Sequence, residues 1–213
     1  MGSPIDVSGL GKLSVASDPK APLLVVFGGI PVDQDEFDGI HREKKKKISV
    51  SSGVYMWNYM SSIQSRFHIF VAVNHHVDGD DSYAKLMSTV QDQSLSPSSQ
   101  ILYLFSGGYK PGRRLLTSKG TDPFSSIYLV DIWMGLGDPP TTVIPDFYKH
   151  LVNKHSDMIT YVYTSFGANN EEARDFIAKK LGSQKAVLVK WQTGEDGMQT
   201  HLRTNTVAVG LLP

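Results

Sequence analysis

The chain contains no cysteine. This excludes disulfides, thiolate metal ligands and a cysteine nucleophile, although it fits either redox compartment. An excess of one charge is also missing, because 21 Lys and Arg balance 21 Asp and Glu. A net charge of zero gives no overall attraction to nucleic acid or to an anionic membrane. No apolar run approaches the length of a membrane span, and residues 1–18 lack the basic start and apolar run of a secretory signal. We expect a soluble protein without a nucleic-acid partner, and the missing signal favours a cytoplasmic location.

Length and composition fit one folded domain. The chain has 213 residues, of which 40% are hydrophobic and 20% charged, as in ordinary globular proteins. It shows no internal repeat and no low-complexity linker. We therefore expect residues 1–213 to form a single domain, with residues 1–20 as an N-terminal extension or an edge strand.

Short apolar runs alternate with amphipathic stretches along the chain. Runs without internal polar alternation are typical of parallel strands that are buried on both faces, and they lie at Leu23–Phe27, Phe67–Val73, Ile101–Phe105, Ile127–Val130, Ile159–Tyr163 and Ala186–Trp191. Apolar residues spaced three and four apart predict helices at Val54–Ile63, Ser82–Val90, Ile144–Val152 and Asn170–Leu181. The alternation predicts an α/β fold, with a mostly parallel central sheet covered by helices on both faces.

The residues that follow the predicted strands carry the candidate chemistry, because ligands of open α/β sheets bind outside the carboxyl ends of the strands. Ser106 follows one strand, Asp131 follows the next, and His201 comes late in the chain. A hydroxyl, an imidazole and a carboxylate are the groups that serine hydrolysis needs.

The segment ILYLFSGGYKPGRRLL resembles the strand, nucleophile turn and helix of the α/β-hydrolase superfamily. The family pattern G-x-S-x-G is matched at Ser106 and Gly108, whereas Leu104 replaces the first glycine. The order of the later elements agrees with that superfamily from about Leu23 to the end. The resemblance therefore implies a three-layer α/β-hydrolase-like sandwich.

The same resemblance implies roles for single residues. Ser106 would be the nucleophile, and His201 the general base, in a loop between the last strand and the final helix. The oxyanion hole would use the N–H of Gly107 and a second N–H at Gly29 or Ile30. No cofactor is implied.

The acid of this triad has two candidate positions. The superfamily more often places it after the strand that ends near Tyr163, where the chain offers Asn169, Asn170 and Glu171. Asp131, after the preceding strand, occupies a known alternative position. We prefer Asp131 because it directly follows a strand.

Three aromatic residues, Tyr55, Tyr109 and Trp133, are expected to line the mouth of the site, although core packing is an alternative for Tyr55. The substrate would be a small-molecule or carbohydrate ester, such as an acylated sugar. The expected activity is that of a serine esterase that forms an acyl-enzyme.

Other interpretations remain open. The chain could be a relative that has lost catalysis, since Leu104 departs from the motif. It could instead bind a phosphate ligand through basic residues at a helix start, which are Lys110, Arg113 and Arg114. The run Lys44–Lys47 is expected to be a solvated loop. A metal site at His75, His76, Asp78, Asp80 and Asp81 is disfavoured, because adjacent histidines on an extended chain point to opposite sides.

Overall fold

The computed structural model describes residues 3–29, 32–33, 49–50, 52–132, 143–165 and 171–213. Ten strands and six α-helices lie in these ranges. The strands are β1 (Ile5–Asp6), β2 (Gly11–Ser14), β3 (Leu23–Phe27), β4 (Val32–Asp33), β5 (Ser49–Val50), β6 (His68–Ala72), β7 (Gln100–Phe105), β8 (Ser126–Val130), β9 (Ile159–Thr164) and β10 (Ala186–Val189). The helices are α1 (Ser52–Met60), α2 (Gly79–Asp92), α3 (Tyr109–Lys119), α4 (Val143–His155), α5 (Glu171–Leu181) and α6 (Gly197–Gly210).

Eight strands form one sheet in the order β1-β2-β6-β3-β7-β8-β9-β10. The strands from β6 to β10 in this order are parallel, whereas β1 and β2 are antiparallel additions at one edge. Strand β7 lies centrally, between β3 and β8. Two further short strands, β4 and β5, pair with each other. All six parallel strands therefore present their carboxyl ends at the same edge of the sheet.

Both faces of the sheet are buried, which explains the continuous apolar runs. Alternate residues of β7 enter two separate cores: Leu102 and Leu104 face one, and Tyr103 and Phe105 face the other. Helices α2 to α5 contribute to the first core, and α1 and α6 to the second. The predicted α/β fold, with a mostly parallel sheet between two helical layers, is confirmed.

The helix starts and ends follow capping chemistry. Asp78 accepts hydrogen bonds from the first turn of α2, and Asp196 forms a reciprocal capping box with Gln199 at the start of α6. Gly182, with a φ of +70°, ends α5 as the sequence predicts. The predicted strand at Ala186–Trp191 is shorter than expected, because pairing with β9 stops at Val189. None of the helices in the described ranges is both long enough and apolar enough to cross a bilayer.

Candidate active site

Ser106 lies directly after the central strand β7, at a sharp turn into α3. Its φ is +50°, a left-handed conformation that is costly for a residue with a β-carbon. The side chain is 1% exposed, and its hydroxyl oxygen has no hydrogen-bond partner in the structure as described. A strained turn that holds an unpaired hydroxyl at a strand end is the geometry of a nucleophile elbow.

Two glycines make room for this turn. A β-carbon on Gly108 would lie 2.1 Å from the carbonyl oxygen of Phe27, so only glycine lets the turn pack on the end of β3. A β-carbon on Gly112 would lie 2.4 Å from Cδ2 of Leu104. The glycine that the motif normally has at position 104 is thus replaced by a leucine whose methyl groups occupy the space opposite a helix glycine. Gly112 thus provides the space for the Leu104 side chain, which explains how the turn accommodates the one departure from the motif.

Asp131 follows β8 in the same way as Ser106 follows β7. Phe105 and Val130, which precede them, are partners in the parallel ladder, so the two residues leave adjacent strands at the same level. Asp131 also has a positive φ, of +40°, and is 1% exposed. Four non-glycine residues within the described ranges have a positive φ, and Ser106 and Asp131 are two of them. Such strain concentrates at functional sites.

His201 reaches this edge from α6 and lies within hydrogen-bond distance of Asp131. Its Nδ1 lies 2.6 Å from Oδ2 of Asp131, and its side chain is 6% exposed. The imidazole ring stacks on Phe105, the neighbour of Ser106, with 4.6 Å between ring centroids. The structure therefore brings two of the three residues predicted as a triad, His201 and Asp131, into contact, beside the residue that precedes Ser106. The expectation that His201 lies in a loop is wrong, since it is the fifth residue of α6.

Several contacts fix α6 and hence the imidazole. At its start, the capping box lies beside an ion pair between Glu195 and Arg203, with Nε of Arg203 2.7 Å from Oε1 of Glu195. The hydrogen bond from Arg203 is the main cause of a lowered pKa at Glu195. Farther along, the hydroxyl of Tyr103 donates to Oδ1 of Asn205 at 2.8 Å in the buried core. The helix is thus pinned on either side of His201.

Thr164 is a residue of this site to which sequence reasoning assigned no role, although it lies at a predicted strand end. It ends β9, where its N–H donates to Oδ1 of Asp131 at 2.9 Å and its hydroxyl lies 3.1 Å from Oδ1 and 3.0 Å from Oδ2. A threonine that ends an apolar run has no distinguishing signal in the sequence. Its importance follows only from β9 lying beside β8.

Gly29 and Tyr55 complete the described surroundings of the serine. A β-carbon on Gly29 would lie 2.9 Å from Oγ of Ser106 and 2.9 Å from the hydroxyl of Tyr55, so both hydroxyl groups face this glycine. Burial raises the pKa of Tyr55 above its usual value, and a backbone hydrogen bond from Gly29 partly opposes that rise. Tyr55 therefore remains a protonated phenol beside the serine.

The positions of the other predicted site residues say less about their proposed roles. Gly107 is buried in the 3₁₀ turn Ser106–Gly108, directly after the serine. Tyr109 is 2% exposed and packs into the core, where its carbonyl accepts a hydrogen bond from Tyr148. The remaining predicted residues, Ile30, Trp133, Asn169 and Asn170, lie outside the described residues, as does Lys44–Lys47. Glu171 is exposed in the first turn of α5.

The competing phosphate and metal hypotheses gain little from the geometry. Arg114 forms a surface ion pair with Asp78 at 3.5 Å, and Lys110 lies over the ring of Tyr109. His75 and His76 lie in a turn with ring centroids 3.8 Å apart, so the expectation that they point to opposite sides is wrong. Within the described ranges, no group of three or more His, Asp or Glu side chains has a metal-binding arrangement.

No family model matches the sequence, and no curated protein matches it either. Solved structures do. The LpqC poly(3-hydroxybutyrate) depolymerase from Bordetella parapertussis aligns with a TM-score of 0.55 and 13% identity, over 94% of this chain and 82% of that one. Est1E from Butyrivibrio proteoclasticus aligns with a TM-score of 0.50 and 14% identity, over 97% of this chain and 95% of that one.

This chain has the α/β-hydrolase fold. A third structure with this fold is Est816, described as an N-acyl homoserine lactone degrading enzyme. It aligns with a TM-score of 0.50 and 8% identity, over 99% of this chain and 100% of that one. At such identities the likeness concerns the α/β-hydrolase fold alone. The function must be argued from the site itself.

Proposed function

We propose that this protein is a serine hydrolase that cleaves a carboxylic ester through an acyl-enzyme. One observation carries the proposal: a buried His201–Asp131 pair, with 2.6 Å between Nδ1 and Oδ2, is stacked on the residue before a strained Ser106. Each group alone has a structural explanation. Together they supply a nucleophile, a base and a carboxylate at the carboxyl edge of an α/β sheet.

The carboxylate sets the tautomer of the imidazole. An ionised Asp131 only accepts hydrogen bonds, so Nδ1 of His201 carries the proton and Nε2 is the basic nitrogen. In the proposed first step, Nε2 takes the proton of Ser106 while Oγ attacks the ester carbonyl carbon. The charge on the resulting imidazolium is stabilised by Asp131 at close range.

The tetrahedral intermediate needs donors for its oxyanion. We assign one to the N–H of Gly107 and a second to the segment after β3, at Gly29 or Ile30; each such donor contributes about 3–4 kcal/mol at the transition state. Collapse of the intermediate releases the alcohol, which takes the proton from His201. Water, deprotonated by the same imidazole, then attacks the carbonyl carbon of the acyl-enzyme. When this second intermediate collapses, the carboxylic acid is released and Oγ of Ser106 takes the proton back from His201.

The name of one structural neighbour agrees with chemistry at carboxylic esters, since it is a poly(3-hydroxybutyrate) depolymerase. We propose a small-molecule ester as the substrate class, with an acylated carbohydrate as one candidate. Tyr55 is 0% exposed and its ring packs into the second core, but its hydroxyl faces Gly29 together with Oγ of Ser106, and we assign the substrate contact to this hydroxyl. Tyr109 is packed into the core and gives the carbohydrate candidate no support.

The test combines covalent labelling with turnover. The protein is treated with a fluorophosphonate, the labelled residue is mapped by mass spectrometry, and short p-nitrophenyl esters are assayed. We expect labelling at Ser106, with label and turnover both lost in Ser106→Ala. Ser82→Ala is the matched control, because Ser82 is also buried with an unpaired hydroxyl but lies in α2 away from the triad.

Folded protein that neither turns over esters nor takes up the label would overturn the proposal. That result would favour a relative without catalysis. Stabilisation by inorganic phosphate that is lost in Arg113→Ala would instead favour the phosphate-binding alternative.

A further inference from the structure

The carboxylate of Asp131 is held from two sides. His201 approaches Oδ2 from α6, and Thr164 approaches both oxygens from β9 with its N–H and its hydroxyl. The hydroxyl carries one proton, so it donates to one carboxylate oxygen at a time, while the N–H occupies Oδ1. Both oxygens therefore have a donor within 3.0 Å.

The local backbone makes such support necessary. Asp131 leaves β8 with a φ of +40°, and its own N–H donates to the carbonyl of Val162 on β9 at 2.7 Å. The residue thus leans towards β9 and away from a regular strand conformation. Thr164, two residues beyond Val162, meets the carboxylate that this bend presents. An unsupported carboxylate could rotate about its side-chain bonds and lose the alignment of Oδ2 with the imidazole.

We propose that Thr164 is the positioning residue of the catalytic acid: its hydroxyl and N–H orient the Asp131 carboxylate so that Oδ2 stays aligned with Nδ1 of His201. This inference rests on the proposed function and deepens it. Thr164 occupies the end of the strand where the resemblance more often places the acid itself. In this chain the proposed acid, Asp131, follows the preceding strand β8, and Thr164, at the end of β9, supports it.

The experiment compares Thr164→Val, Thr164→Ser and Thr160→Val in the full chain. Valine keeps the shape and the backbone N–H but removes the hydroxyl, whereas serine keeps the hydroxyl. Thr160 is a matched control, because it lies on the same strand and its hydroxyl bonds to Tyr128 and not to the triad. We expect Thr164→Val to lower kcat about 10-fold with KM within about twofold, since a hydrogen bond to a charged group is weakened. Thr164→Ser restores most of kcat, and Thr160→Val leaves it within about twofold of the parent.

A second readout does not depend on turnover. The proton shared by His201 and Asp131 gives a proton NMR resonance far downfield of ordinary amides when the pair is aligned. We expect this resonance in the parent, Thr164→Ser and Thr160→Val, and its broadening or upfield shift in Thr164→Val. A folded Thr164→Val protein with the parental resonance and the parental kcat would overturn the inference.

The two proposals fail separately. If the parent hydrolyses esters through Ser106 but Thr164→Val behaves like the parent, the positioning role is wrong and the proposed function stands. If the parent is inactive, the resonance in the three variants still decides whether Thr164 aligns the pair. Loss of the resonance in Thr160→Val as well would show a general strand effect and would count against the inference.

Discussion

Two buried histidines lie at the same edge of the sheet, and their side chains contact different groups. His201 is 5% exposed and His75, which follows β6, is 7% exposed. His201 has a carboxylate at 2.6 Å and an aromatic ring beneath it. His75 lies against His76, and its Nδ1 has no hydrogen-bond partner among the residues described.

For His75 the consequence is visible in the charge that its imidazole can hold. Burial lowers the pKa of His75 to about 4, and the nearby cationic groups of His76 and Lys110 add to the effect. Such a ring stays neutral and is a poor base at neutral pH. Burial therefore keeps His75 neutral, whereas the carboxylate beside His201 supplies the partner that the proposed general base needs.

Removing the two imidazole rings one at a time should have very different effects on activity. If the proposed function holds, we expect His201→Gln to lower kcat about 10⁴- to 10⁶-fold, as loss of the base does in serine hydrolases. His75→Gln should leave ester turnover within about twofold of the parent. Steady-state kinetics on p-nitrophenyl esters provide the measurement. Equal losses in the two variants would show that the contacts do not distinguish the histidines.

Asp131→Asn should make His201 resemble His75. An asparagine keeps the shape but removes the charge and can present an N–H to Nδ1, which selects the wrong tautomer. We expect kcat to fall about 10⁴-fold. Circular dichroism should show a folded protein. Activity near that of the parent would exclude Asp131 as the acid and redirect attention to Glu171.

His75 should reveal itself in the pH dependence of stability. Its pKa in the folded protein, about 4, lies below the ordinary value of 6.5. The unfolded chain therefore binds more protons between these values, and this contribution to stability is complete above pH 6.5 and is lost as the pH falls towards 4. Urea unfolding of the parent and of His75→Gln should diverge over this window. Parallel curves would mean that His75 is not held neutral in the fold.

The smallest expected effect is at the start of α6. Asp196→Ala removes the capping box, so we expect a loss of about 1 kcal/mol in the free energy of unfolding. Because His201 lies five residues later, kcat should fall modestly as well, with no change in the His75 titration. Asp78→Ala, which removes the cap of α2, is the matched control and should lower stability without lowering kcat.

Much of this site could be predicted from the sequence, because the ends of the strands could be predicted from it. The apolar runs before Ser106 and Asp131 predicted where the chain leaves the sheet, and parallel strands necessarily deliver those residues to one edge. The helical position of His201 also had a signal, since Asp196 and Gln199 match the spacing of a capping box. We nevertheless expected a loop, because the resemblance to the superfamily guided that part of the prediction.

The rest depended on contacts between distant segments. Leu104 departed from the motif, and only the packing of α3 against β7 reveals that Gly112 provides the space. Thr164 acquires its role from its neighbour across the sheet, which no pattern within one strand encodes. His75 and His76 form a ring contact because the chain turns there, whereas our extended-chain assumption separated them.

The left-handed backbone at Ser106 and Asp131 affects which substitutions a selection for heat-resistant variants would favour. Each such residue costs about 1–3 kcal/mol, so glycine at position 106 should be better tolerated than alanine, by about 1 kcal/mol after its greater unfolded-state entropy is included. Melting temperatures of Ser106→Gly and Ser106→Ala would measure this difference. With Ser106 as the proposed nucleophile, a screen for thermal stability alone would enrich inactive Ser106→Gly variants, so the selection must include turnover as well.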